Sequence, residues 1–286
     1  MSRVLERRDD NWKKLQQYVL EERETVQITG PGAKPIWGTQ REYLWFPRDG
    51  VFIKSPVKAD GVTVNEADRR KAEDEWIHRE ERRKEREKKG TVSVGIGPGG
   101  VKVERHDGVT DDTATVANEQ SIRDALEPGF VSAAYFLKFK FDPGQYALAG
   151  RETLEGRDVL RIEYYPTKLF QEGRARPNKE VRKRDEQIEE KMNKVAQVTL
   201  WVDRAEHQIL KYEFHNMPLD FLPGRSILRV DGMKAAMEMG QPFPNVWLPR
   251  SIRIAIDLSL AIGELDGRYA ADFYDYKLAT VATKVR

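Results

Sequence analysis

Hydrophobic and polar residues alternate most cleanly over Ile252 to Ile262. Ile252, Ile254, Ile256, Leu258, Leu260 and Ile262 fall on one parity, and Arg253, Ala255, Asp257, Ser259 and Ala261 on the other. A period of two sends these sets to opposite faces of a sheet. At about 3.3 Å per residue the run spans about 36 Å, far beyond an average strand. Such a row needs a cover. The same alternation marks Ala133–Phe141, with Leu137 and Phe139 on one face, and Ile227–Met239, with Met233, Ala235, Met237 and Met239 together.

Turn chemistry divides the remaining extended segments. Thr29-Gly30-Pro31-Gly32 closes a strand from Tyr18 to Ile28, and Pro47-Arg48-Asp49-Gly50 joins two short strands, Thr39–Phe46 and Val51–Ile53. Asp142-Pro143-Gly144 and Glu155-Gly156-Arg157 set Gln145–Leu154 and Asp158–Tyr165 side by side, antiparallel. A hairpin about Asp203–Glu206 links Val198–Val202 to Gln208–His215. Pro242 and Pro244 are expected to break the chain before the long strand, and Gly263–Gly267 to reverse it into Arg268–Leu278.

Three long segments read as helical, 3–17, 64–90 and 168–195, beside a short helix at Ser121–Glu127 stopped by Pro128-Gly129. In the second, Asn65 is placed to cap the helix. Residues 66–89 hold ten Lys/Arg and nine Asp/Glu, with acid-first pairs four apart. The pattern fits a solvated charged helix, or else a partner-binding arm. In the third, Val181, Ile188, Met192 and Val195 form a helical stripe. Arg174, Arg176, Arg182, Lys183 and Arg184 crowd its start, as an exposed crossover or as a lid whose basic end meets an anion.

Composition narrows the chemistry. With 49 Lys+Arg against 47 Asp+Glu the chain lacks the basic excess of a nucleic-acid binder. No apolar run reaches about 18 residues, so no transmembrane helix is expected. The N-terminal MSRVLERRDDNW has no signal-peptide core, so either the protein is cytosolic or a leader has been removed. Gly95–Gly100 matches dinucleotide-fingerprint letters, but Pro98 forbids the required strand-to-helix turn, so a linker or hairpin is expected. Four histidines, no cysteine and no G-x-S-x-G leave no metal site, cofactor or catalytic residue to name.

Four motifs carry a resemblance: Gly150-Arg-Glu-Thr-Leu-Glu-Gly-Arg-Asp-Val-Leu-Arg, then Leu200-Trp-Val-Asp203, Gln208-Ile-Leu-Lys211 and Val246-Trp-Leu-Pro249. In this order they resemble the LolA/LolB/RseB-like superfamily of bacterial envelope proteins, over roughly residues 130–280. The resemblance implies an α+β, mainly antiparallel fold. Its sheet would be a strongly curved, unclosed β-barrel with covering helices, here one domain over 1–286 with charged helical insertions. It implies no catalysis, and a hollow that accepts lipid acyl chains. The candidate lining is Met233, Met237, Met239, Ile254, Ile256, Leu258, Leu260, Leu137 and Phe139. The basic residues Arg174, Arg176, Arg182, Lys183 and Arg184 would meet a headgroup. The expected partner is a lipid or lipoprotein acyl chain in the periplasm or cell envelope. The alternative is a self-packed interaction module whose charged helices contact another envelope protein.

Overall fold

The computed structural model describes residues 1–48, 51–88, 96–97, 100–101, 146–165, 196–216, 228–260 and 263–279. The first part of the chain forms α1 (Ser2–Leu15), β1 (Tyr18–Gly30), a 3₁₀ turn at Pro31–Ala33, β2 (Lys34–Arg48), β3 (Val51–Ala59), β4 (Val62–Thr63) and α2 (Glu66–Lys88). A small hairpin, β5 (Ile96–Gly97) with β6 (Gly100–Val101), follows. Then come β7 (Tyr146–Leu154), β8 (Arg157–Tyr164), β9 (Ala196–Asp203), β10 (Ile209–Asn216), β11 (Leu228–Phe243), β12 (Val246–Leu260) and β13 (Gly263–Leu278).

Eleven strands form one antiparallel sheet in the order β4-β3-β2-β1-β13-β12-β11-β10-β9-β8-β7. Its ends, β4 and β7, do not pair, so among the described residues the sheet is a curved, unclosed half-barrel. The N-terminal meander β1–β4 joins the C-terminal strands because β1 pairs with β13, from Tyr18 opposite Leu278 to Thr29 opposite Asp266. This closure across the whole chain length leaves β12 and β13 near the middle of the sheet.

The alternation of β12 is realised: Ile252 and Ile254 are buried, Ile256 is half-buried, and Arg253 and Asp257 are exposed. Met237 stands opposite Ile252, and Ile252 opposite Ala271. The inward rows of β8–β10 continue this core with Val159, Tyr164, Val198, Leu200, Val202, Tyr212 and Phe214. Several strands are longer than expected. β2 runs through Pro47 to Arg48, and β11 through Pro242 to Phe243. Proline is tolerated in a strand where the ladder is broken, and β11 has such an irregularity between Gly240 and Phe243. Gly263–Gly267 is strand rather than turn, since Leu260 already pairs with Gly263.

α2 starts where Asn65 Oδ1 accepts the Asp68 amide at 2.9 Å. Its first half docks on β3. Trp76 and Ile77 pack against Phe46, Val51 and Ile53, and the buried Glu73 accepts from Ser55 Oγ at 2.6 Å and Arg48 at 3.0 Å. The charged crossover expected over 168–195 and the strand over 133–141 lie outside the described residues.

Ile252, fully buried at the centre of the sheet, sets the expected scale of core packing. Ile252→Ala should lower the free energy of unfolding by about 2–5 kcal/mol in denaturant titration, from lost burial and the cavity left behind.

Candidate ligand-binding face

The concave face carries an apolar bed beneath α1. Eight of the fourteen residues of α1 are charged, so only a narrow stripe can face the sheet. Val4 and Leu15 supply its buried apolar contacts, with Met1 and Trp12 packed beside them. The bed consists of Ile209 from β10, Met237 and Met239 from β11, and Trp247 and Pro249 from β12. Between helix and bed remains a cavity of about 30 Å³, lined also by Arg8, Asn11 and Gln208. That volume suits one water molecule.

The position of α1 is fixed by polar contacts at one rim of the sheet. The buried Asn11 donates through Nδ2 to Gln208 Oε1 at 2.6 Å, and Arg7 reaches the Asn245 carbonyl at 3.5 Å. Gln208 belongs to a network built from residues that recur in the motifs above. Arg157 donates to Asp203 at 3.2 Å, Glu206 at 2.9 Å and Gln241 at 3.1 Å, and its guanidinium lies 4.8 Å from the centre of the Trp247 ring. Trp247 in turn donates from Nε1 to Glu206 at 2.7 Å. Asp203 accepts the backbone amides of Ala205 and Glu206, each at 2.8 Å. Burial pushes the Asp203 carboxyl up, but these amides and Arg157 outweigh it and hold the group below its ordinary value. The ends of three hairpins and α1 are tied together here.

A second feature of this face was not foreseen. Glu22 and Glu24 lie on the inward parity of β1 with Leu20, Val26 and Ile28, and are only 0% and 2% exposed. Lys54, 9% exposed, reaches across β2 and donates to Glu22 Oε1 at 3.1 Å and Glu24 Oε2 at 3.0 Å. Trp45 Nε1 donates to Glu22 Oε2 at 2.5 Å, and the Tyr269 hydroxyl to Glu24 Oε2 at 3.1 Å. The Lys54 ammonium also sits 4.0 Å from the Tyr43 ring centre. Burial pushes the Glu22 carboxyl above its ordinary range. Burial also raises Glu24, but the Lys54 ammonium and hydrogen bonds from Lys54 and Tyr269 prevail and hold it low. Two carboxylates split in this way are the raw material of an acid and base pair. Here both are covered, so a substrate does not reach them and their work is structural. The sequence signal was parity, since two glutamates share the register of Leu20 and Val26. The other register, Glu21, Arg23 and Thr25, is equally polar and hides the alternation.

The sequence-derived lining is placed in part. Met237 (1% exposed), Met239 (8%) and Ile254 (5%) share the inward face, with Ile256 half-buried at its margin. Met233 stands opposite Ile256, and Leu260 opposite Leu228, while Leu258 pairs with Val230. The side chains of Met233, Leu258 and Leu260 are outside the description, as are Leu137 and Phe139 entirely. The basic candidates Arg174, Arg176, Arg182, Lys183 and Arg184 also lie outside the described residues. α1 covers Met237 and Met239 and leaves between helix and bed the cavity of about 30 Å³ described above. Among the described residues, no group of three or more His, Cys, Asp or Glu side chains is placed to hold a metal ion. No described helix is long and apolar enough to cross a membrane.

No protein-family model matches the sequence, and no curated protein does. Among solved structures, a DUF1329 family protein from Desulfovibrio piger is 12% identical over 98% of this chain and 95% of its own, with a TM-score of 0.35. The Pseudomonas aeruginosa MucA/MucB complex contributes a chain 12% identical over 95% of this chain and 93% of its own, with a TM-score of 0.18. Likenesses this distant carry no argument about function, which rests on the geometry above.

Lys54→Met would leave the buried carboxyl groups of Glu22 and Glu24 with no ammonium between them. It should destabilise the fold by about 3–5 kcal/mol in denaturant titration at neutral pH.

Proposed function

We propose that this chain is a non-catalytic binding module of the cell envelope that accepts an acyl chain on its concave face, with α1 as the resident occupant. The observation that carries the reading is the seat of α1. A helix of mostly charged residues covers a bed of Ile209, Met237, Met239, Trp247 and Pro249 with little apolar surface of its own. Methionine and tryptophan suit such a bed, because the flexible thioether repacks around guests of different shape. An apolar guest enters by lifting α1, since about 30 Å³ does not admit a chain beside it.

Magnitudes set the length of that guest. Burying Val4 and Leu15 contributes about 1.5–3 kcal/mol each, and each methylene of a guest about 0.8 kcal/mol. Displacement therefore balances near four to eight methylenes, by roughly the same bookkeeping. Longer chains gain on the helix. The basic residues from Arg174 to Arg184 are assigned to the headgroup of such a lipid, and the remaining candidates (Met233, Ile254, Ile256, Leu258, Leu260, Leu137 and Phe139) to the walls.

A second reading is favoured by the same filled bed: a self-packed module that meets an envelope protein through its charged helices. Chain length separates the two. Single-chain lipids of increasing length should leave the melting temperature unchanged up to about eight carbons and raise it progressively beyond about ten. Leu15→Ala, which weakens the seat of α1, should enlarge the shift. No shift at any length, in either chain, contradicts acyl binding and leaves the self-packed module.

A further inference from the structure

The Glu22, Lys54 and Glu24 cluster contains two acids and one ammonium, all nearly cut off from water. We propose that this cluster, with two buried acids around one ammonium, holds a proton to higher pH in the folded chain than its glutamates do in the unfolded chain, making the β1–β3 side of the sheet a proton-linked element. The inference is independent of the acyl-chain reading.

Every strand packed around the cluster contributes to its charge balance. β1 supplies Glu22 and Glu24, and β3 supplies Lys54. β2 supplies Tyr43 and the half-exposed Arg41, whose Nη1 donates to the Tyr43 hydroxyl at 3.4 Å. β13 supplies Tyr269, bonded to Glu24, and Tyr276, whose hydroxyl donates to the Pro249 carbonyl at 2.6 Å and feels the charge of Glu22. From α2 the neutral Trp76 stands edge-on to Trp45, with ring centres 5.4 Å apart.

The two carboxylates are not equivalent in this setting. Glu24 receives Lys54 and Tyr269, has the Tyr43 hydroxyl at 3.5 Å, and is further held ionised by the positive charge of Arg41. Glu22 shares the same ammonium, receives Trp45, and stands opposite Phe273 in the register. A fully buried carboxylate beside a like charge neutralises rather than remain an uncompensated ion. The proton therefore belongs to the pair.

The sign follows from linkage. In the unfolded chain Glu22 ionises in the ordinary carboxylate range, whereas in the folded chain it keeps its proton to higher pH. Stability from this group is thus greatest at and below the ordinary range, and falls as pH rises toward the folded-state value. Glu24 acts oppositely, and only below the ordinary range.

Denaturant unfolding of the full chain and of Glu22→Gln, compared from about pH 5 to 8, tests this directly. Relative to the variant, the wild-type folding constant should fall with rising pH by up to about tenfold per unit. Parallel profiles would overturn the proposal. A carbon-13 titration of the glutamate carboxyls in the wild-type chain provides an arm that needs no variant. One carboxyl should titrate above all the others, and a set that titrates wholly in the ordinary range would also overturn it.

Discussion

A curved sheet has an inside, and the inward residues of β11 and β12 must be kept from water. Met237, Met239, Ile252 and Ile254 provide that constraint, and α1 answers it by lying across β10–β12 with Val4 and Leu15 turned down. The rest of the architecture follows from this pairing. The helix precedes β1 directly, so its docking sets where β1 enters, and β1 in turn joins the N-terminal meander to β13. Hydrophobic burial makes the seat favourable but gives it no direction. The Asn11–Gln208 and Arg7–Asn245 contacts supply the register that apolar surface lacks.

Polar groups in this fold fix spacing and register. At the rim, Arg157 serves Asp203, Glu206 and Gln241 at once and stacks on Trp247, so the ends of separate hairpins are held at fixed spacing. On the β1–β3 side, Lys54 reaches across β2 to join two glutamates of β1, and Tyr269 adds a link from β13. Buried ionic groups seldom add net stability compared with apolar side chains, but they penalise wrong registers heavily. A one-residue slip of β1 would replace Glu22 and Glu24 with Glu21 and Arg23 beside Lys54. The sheet thus has a polar, exacting side at β1–β3 and an apolar side under α1.

Much of the scaffold was legible because it is local. The Ile252–Ile256 alternation, the hairpins about Gly156 and Asp203–Glu206, and the Asn65 cap all reappear in the coordinates. The motif letters Arg157, Asp203, Gln208 and Trp247 were legible as a set, though their convergence at one rim was not. Convergence depends on sheet order, and a pair such as Asn11 and Gln208 lies 197 positions apart. The glutamate cluster was hidden for a different reason: both faces of β1 carry charge, so periodicity does not say which face is buried. Strand lengths were underestimated where proline suggested a stop: the ladder is broken beside Pro242, which accepts it, and pairing runs on through Pro47 opposite Phe52.

The account turns on α1 being a separable cover rather than an integral layer of the core. Native-state hydrogen exchange measures that separation residue by residue. Amides from Leu5 to Leu15 should open with a smaller free energy than those of Ile252, Ile254 and Tyr269, well before global unfolding. Equal protection across α1, β12 and β13 would make the helix part of one cooperative core and contradict the account.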